Sequence, residues 1–83
     1  MTDWNNTLTI HISKQLEAKG RALVEMGGLR VDVRQVGESW LWNIYRAGQD
    51  VQDTSLAGGC ESTVDVCTRR AADTMADLIK RGH

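Results

Sequence analysis

The chain has 83 residues, with 10 lysines and arginines against 11 aspartates and glutamates, and its formal net charge is −1. This length predicts a single domain, residues 1–83, with one modest hydrophobic core. A content of 41% hydrophobic and 25% charged residues is typical of a globular chain and argues against disorder. The near-neutral charge disfavours generic nucleic-acid binding, which usually needs an excess of Lys and Arg.

The sequence favours a cytoplasmic protein with no membrane partner. No apolar run is long enough to span a bilayer, and the first residues lack the basic and apolar segments of a signal peptide. The two cysteines are therefore expected to stay reduced. Small chains without a disulfide or metal often gain stability by self-association or by binding a partner.

Residues 7–12 alternate between polar and apolar side chains. Leu8, Ile10 and Ile12 would share one face of a strand, and a helix would leave Ile10 in solvent. Ser13 then resembles an N-cap, and residues 14–26 are rich in helix formers. The pattern predicts a strand over 7–12 and a helix over 14–26 that ends at Gly27.

A rival interpretation makes residues 21–26 a strand. In that case Gly20 ends an earlier helix, and Gly27-Gly28 is a two-residue hairpin turn that places Glu25 across from Arg30. The apolar residues that alternate in this segment are Ala22, Val24 and Met26. Helix propensity and capping favour the helix, and the strand stays open as the alternative.

Residues 29–34 and 40–45 alternate clearly and are predicted to pair as a hairpin around Gly37-Glu38. This register places Val33 opposite Trp42 and Val31 opposite Ile44, so the large apolar side chains share one face. Residues 49–54 are predicted as an edge strand. Charged residues such as those in this segment are typical of edge strands, where they prevent aggregation by strand pairing. Residues 56–60, which contain two glycines, are predicted as a loop.

The last helix is predicted over residues 63–81, capped by Ser62 or Thr63. Its apolar stripe consists of Val64, Cys67, Ala71, Met75 (or Thr74) and Leu78. Pairs of opposite charge one turn apart are expected on its outer face, namely Asp65/Arg69, Arg69/Asp73 and Asp77/Arg81.

These elements predict an α+β domain in the order β-α-β-β-β-α, with a mainly antiparallel sheet and helices packed on one face. The alternative order is α-β-β-β-β-α, with residues 21–26 as a strand. The order helix, three strands, helix over residues 14–81 is similar to that of the double-stranded-RNA-binding domain. That family has a lysine-rich start to its second helix, whereas residues 63–68 here contain no lysine, so no binding residue is carried over.

No constellation of side chains predicts catalysis, a cofactor or a metal. The soft ligands are His11, Cys60, Cys67 and His83, and their spacing is not that of a zinc site. Cys60 lacks a positioned base. The carboxylate pairs Asp50/Asp53 and Asp73/Asp77 resemble solvated charges, and the glycine-containing stretch 58–63 is a weak anion-binding signal.

The leading hypothesis is a small non-enzymatic accessory protein that acts by binding another protein, or itself as a homodimer. Compact accessory proteins of bacteria and phages, including inhibitors such as anti-CRISPR proteins, are similar in size and build. Strand parity places Arg30, Arg34, Leu41 and Tyr45 on the sheet face away from the helices, which makes them candidate interface residues.

The alternative hypothesis is a nucleic-acid-binding module with the element order of a double-stranded-RNA-binding domain. Its candidate phosphate contacts are Arg30, Arg34, Arg69 and Arg70.

Overall fold

Two helices pack on one face of a four-stranded antiparallel sheet in the computed structural model, which describes residues 4–48 and 55–82. The elements are α1 (Trp4–Lys19), β1 (Arg21–Met26), β2 (Leu29–Val36), β3 (Ser39–Arg46), β4 (Ala57–Glu61) and α2 (Val64–Lys80). The strands lie in the order β1-β2-β3-β4. Helix α1 packs against β1 and α2, and α2 also covers β2, β3 and β4. The α+β class is confirmed, and the order is the alternative one, α-β-β-β-β-α.

The strand predicted over residues 7–12 is wrong, because this segment is the middle of α1. Leu8 and Ile12 lie one turn apart and are fully buried, whereas Ile10 is 45% exposed. They belong to a stripe with a spacing of four residues, formed by Trp4, Leu8, Ile12 and Leu16. A spacing of four matches a helical face, so packing of this stripe outweighs the β propensity of the alternating residues.

The helix predicted over residues 14–26 is also wrong in its second half. Helix α1 ends at Lys19, where the Gly20 amide donates to the Leu16 carbonyl at 2.8 Å, and residues 21–26 form β1. Gly27 and Gly28 connect β1 to β2 with φ values of +61° and +80°. A two-residue hairpin turn of type I′ needs positive φ at both positions, which glycine adopts without strain.

The register of the central hairpin is confirmed. Val33 pairs with Trp42 and Val31 with Ile44, as the Gly37-Glu38 turn predicts. All four side chains are buried under the helices. The sheet core is therefore set by the parity of β2 and β3.

The loop predicted over residues 56–60 is wrong, because Ala57–Glu61 forms β4. This strand pairs with β3, and Gly59 lies opposite Trp42. The predicted edge strand over residues 49–54, including Val51, Asp50 and Asp53, lies outside the described residues.

The last helix is confirmed as α2. The Thr63 hydroxyl caps it by accepting from the Val66 amide at 3.3 Å, and Cys67 is fully buried. Of the expected charge pairs on the outer face, only Asp77–Arg81 is an ion pair among the described residues, at 3.1 Å. The four strands between α1 and α2 also depart from the three of the double-stranded-RNA-binding domain.

Candidate protein-binding face

The sheet face opposite the helices carries alternate residues of all four strands. Side chains alternate along a strand, so residues next to core positions point away from α1 and α2. The strand pairing places them in rows, namely Arg21-Arg34-Leu41-Cys60, Leu23-Asp32-Asn43-Gly58, Glu25-Arg30-Tyr45 and Val36-Ser39. We call these residues the open face. Within residues 4–48 and 55–82, no helix or strand packs on it.

The four candidate interface residues all lie on the open face, but Arg30 is not a free cation. Its guanidinium is 2.9 Å from a carboxylate oxygen of Glu25, its direct cross-strand neighbour. Arg21 pairs in the same way with Asp32 at 3.2 Å, along a diagonal of the sheet. These exposed pairs order the long side chains more than they stabilise the fold.

Arg34 is the exception on the open face. Its register partner on β1 is Arg21, a like charge, and its partner on β3 is Leu41. Since Asp32 is paired with Arg21, no described residue forms an ion pair or a side-chain hydrogen bond with Arg34. An exposed, unpaired guanidinium next to an apolar side chain remains available for an external carboxylate.

Apolar side chains extend the open face beyond the predicted Leu41 and Tyr45. Leu23 is 45% exposed in the centre of β1, and Val36 is exposed at the hairpin end of β2. Sequence reasoning missed Leu23 because it favoured a helix over residues 14–26. The signal was present in the rival alternation, which places Leu23 between the inward-facing Ala22 and Val24.

The outer edge of β1 is partly closed by a side chain of α1. Pairing of Met26 with Leu29 across the two-residue turn directs the backbone groups of Leu23 away from β2. The Leu23 amide instead donates to the Gln15 Oε1 at 2.7 Å. This contact occupies one of the exposed donors on the β1 edge, which would otherwise favour unwanted strand pairing.

The four arginines of the nucleic-acid alternative do not form one surface. Arg30 and Arg34 lie on the open face, whereas Arg69 and Arg70 lie on α2, on the other side of the sheet. Arg70 is also 3.5 Å from a carboxylate oxygen of Glu61. A duplex backbone on either side of the sheet would meet only part of the predicted set.

The two cysteines lie in different environments. Cys60 is exposed on β4 and points to the open face, away from α1, which carries His11. Cys67 is buried on α2. Burial raises the pKa of the Cys67 thiol from 9.0 to about 11, and the negative charge of Glu61 and the neighbouring Cys60 contribute in the same direction. Cys67 therefore stays a neutral thiol near pH 7.

Metal, anion and membrane binding concern other parts of the described residues. No group of three His, Cys, Asp or Glu side chains there is arranged to hold a metal ion. His83 and the Asp50/Asp53 pair lie outside those residues. The weak anion-binding stretch 58–63 is β4 followed by the Thr63 cap, which already accepts from the Val66 amide. Neither described helix has the length and apolar character that a membrane span requires.

Comparisons of the chain with protein-family models, with curated proteins and with solved structures found no match. Function is therefore inferred from the geometry of the open face and of the helical layer.

Proposed function

We propose that the chain is a non-enzymatic binding protein that recognises another protein through the open face. The observation that carries this proposal is Arg34, an unpaired guanidinium beside Leu41 on a sheet face that no described element covers. Arginine and tyrosine are among the commonest residues that dominate binding energy at protein interfaces. Tyr45 and Leu23 add apolar contact area beside the two ion pairs of the open face, Arg21–Asp32 and Arg30–Glu25.

Charge favours a different protein over a second copy of the chain as the partner. The open face carries three arginines against Glu25 and Asp32, so it is net positive on a chain of net charge −1. Two open faces brought together would place positive against positive. A partner surface with a carboxylate opposite Arg34 and apolar groups over Leu41 and Tyr45 complements this face better.

The size of the open face fits a transient complex. Four strands about 4.8 Å apart, with five to eight residues each at about 3.3 Å per residue, give a face of roughly 400–450 Å². A standard stable interface buries about 800 Å² on each partner. The open face alone thus provides about half of a standard interface.

An accessory or inhibitory role suits such a protein, because an occupied partner surface is blocked without any chemical step. A cytoplasmic location is part of the same proposal, since both cysteines are free thiols.

The test is a variant that carries both Tyr45→Ala and Arg34→Glu. We expect it to lose a partner that the wild-type protein captures from its native host, and to melt at nearly the same temperature, since surface substitutions usually change stability by within about 0.5 kcal/mol. Cross-links between the wild-type protein and that partner should map to the open face. The matched control is Lys14→Glu, which makes the same charge reversal on an exposed position of α1.

Three results would overturn the proposal. The first is undiminished capture by the folded double variant. The second is concentration-dependent dimerisation in a sizing run that the double variant abolishes, which assigns the face to a second copy. The third is binding to duplex RNA or DNA that weakens steeply with salt, which assigns the arginines to phosphates.

A further inference from the structure

A groove of about 550 Å³ opens between the two helices, beside Trp40 at the start of β3. This volume lies within the range of about 300–1,000 Å³ that is typical of small-molecule sites. The residues that line it are Thr9, Ser13, Leu16, Glu17, Trp40, Val64, Asp65, Thr68 and Arg69. The groove lies in the helical layer, on the other side of the sheet from the open face.

The helices run antiparallel along this groove. The Asn5 side chain donates to Asp73, while residues later in α1 share the groove with residues earlier in α2. With equal rises of about 1.5 Å per residue, Arg69 lies level with Thr9, and Glu17 lies about 12 Å further along the axis. The guanidinium therefore belongs to one end of the groove and the Glu17 carboxylate to the other, with Asp65 between them.

The charged side chains of the groove have no partners in the part of the chain that the structure describes. The expected Asp65–Arg69 pair does not form, and no described residue is ion-paired or hydrogen-bonded to the side chains of Glu17, Asp65 or Arg69. Glu17 also stands in the last turn of α1, where the helix dipole disfavours a carboxylate. Two carboxylates and one guanidinium are thus left facing a cavity.

The Thr68 hydroxyl gives independent support for a ligand. Thr68 is only 5% exposed and lines the groove; its hydroxyl has no hydrogen-bond partner among the described residues and is not itself fully buried, so it opens to the groove. A threonine hydroxyl can donate one hydrogen bond and accept others. The Thr68 hydroxyl is therefore available to a ligand atom that can hydrogen-bond.

Besides the hydroxyls of Thr9 and Ser13, the remaining lining is apolar. Trp40 is partly exposed, and Leu16 and Val64 border the groove from α1 and α2. An indole face attracts both alkyl chains and organic cations. This combination suits a ligand with a methylene chain that ends in a cationic group.

We propose that this groove binds a free basic amino acid, lysine or arginine. Such a ligand carries two cationic groups and one carboxylate, which is the complement of the two carboxylates and one guanidinium of the groove. Its carboxylate is placed to contact Arg69, its cationic groups Asp65 and Glu17, and its methylene chain the Trp40 indole. A simple cation would leave Arg69 unpaired, and a simple anion would meet two carboxylates.

The experiment is calorimetric titration of the full chain with L-lysine and L-arginine, together with NMR of the Trp40 indole N–H. We expect saturable heat and a shift of that indole resonance. Glu17→Gln, Asp65→Asn and Arg69→Gln should each weaken binding by about tenfold, because each removes a charge-assisted hydrogen bond. Lys14→Gln, an exposed change outside the groove lining, is the matched control. The proposal is independent of the open face, so the Tyr45→Ala, Arg34→Glu variant should bind lysine normally.

Ligands that each lack one group of lysine test the contacts of the groove one at a time. L-lysine amide should bind more weakly because it lacks the carboxylate, and norleucine more weakly because it lacks the side-chain cation. Nα-acetyl-lysine has no free α-ammonium group. If it binds as tightly as lysine, the proposed free amino acid is wrong, and the ligand is instead the C-terminal basic residue of a peptide. Absence of heat and of any indole shift at millimolar lysine and arginine, or unchanged affinity in all three groove variants, would overturn the proposal.

Discussion

Trp42 lies directly over Gly59, its register partner on β4. A Cβ atom built on Gly59 would be 2.8 Å from the indole Nε1 and 3.1 Å from Cε2. The same Nε1 donates to the Glu61 Oε2 at 3.3 Å, and Glu61 in turn pairs with Arg70 of α2. The missing side chain at Gly59 thus lets the indole close the edge of the core and reach both β4 and the last helix.

Gly59→Ala should destabilise the protein by about 1–3 kcal/mol, because the methyl group must displace a buried indole that has little room to move. Urea unfolding measures the change. The control is Cys60→Ala, one residue along β4 and exposed, which should stay within about 0.5 kcal/mol of the wild type. Equal stability of Gly59→Ala and the wild type would contradict the position of the indole over β4.

Trp42→Ala should cost about 3–5 kcal/mol, since Trp42 is almost fully buried, and this loss is enough to unfold a marginal domain. Trp42→Phe keeps a ring in the core but loses the bond to Glu61, so it should stay folded at a cost of about 1–3 kcal/mol. Thermal melts followed by circular dichroism test both variants. Full stability of Trp42→Ala would refute the register of β2 and β3.

Helix α1 gives a matched pair of isoleucines. Ile12→Ala should cost about 2–5 kcal/mol because Ile12 is fully buried, whereas Ile10→Ala should stay close to the wild type. A strand over residues 7–12 would bury both side chains on one face and make both variants costly. Similar losses of unfolding free energy from the two substitutions in urea would therefore support a strand over residues 7–12 and contradict helix α1.

The parity of β2 and β3 and the stripe of α2 were predictable because each pattern fits only one secondary structure. Residues 7–12 fit two secondary structures, since Leu8 and Ile12 are compatible with the period of two of a strand and with the spacing of four of a helix. Trp4 and Leu16 resolve this choice by extending the spacing of four, a signal that a six-residue window does not contain. Propensity over residues 14–26 gave the wrong answer because the hairpin turn at Gly27-Gly28 and the pairing of β1 with β2 depend on tertiary structure.

Strand β4 and the groove were not predictable for a related reason. Two glycines in five residues have low β propensity, and the close approach of Trp42 that requires Gly59 is visible only in three dimensions. The groove depends on the relative position of α1 and α2, which the sequence does not reveal. The part of the open face on β2 and β3, in contrast, follows from strand parity alone. The ion pair of Arg21 with Asp32 was not foreseen, and the pairing of Glu25 with Arg30 was visible only in the rival interpretation of residues 21–26.

The two thiols should label at very different rates. Cys60 is exposed and should react with a maleimide in the native state, whereas Cys67 is buried and stays protonated near pH 7, so it should react only when the chain opens. Mass spectrometry of peptides after a short labelling pulse measures both sites. Equal labelling of the native protein would contradict the orientation of α2, and equal labelling in urea is the control for intrinsic reactivity.

The buried thiol also predicts a loss of stability at alkaline pH. The pKa of Cys67 rises from 9.0 to about 11 in the folded state, so the folded protein binds the thiol proton more tightly than the unfolded chain does. Below pH 9 both states hold the proton, and the contribution is fully present; between pH 9 and pH 11 the unfolded chain loses it first. The free energy of unfolding should therefore fall by about 2–3 kcal/mol as the pH rises through this window.

Urea unfolding of the wild type and of Cys67→Ala at a series of pH values isolates this contribution. All other ionisable groups are common to both proteins, so only the difference between the two curves reports Cys67. We expect the difference to be constant below about pH 9 and to shift in favour of Cys67→Ala towards pH 11, because the wild type alone loses the stability linked to the buried neutral thiol. Cys60→Ala should follow the wild-type curve closely, since the charge of Cys60 is the smallest cause of the raised pKa. Parallel curves for the wild type and Cys67→Ala across the whole range would show that the Cys67 thiol ionises as readily in the folded protein as in the unfolded chain.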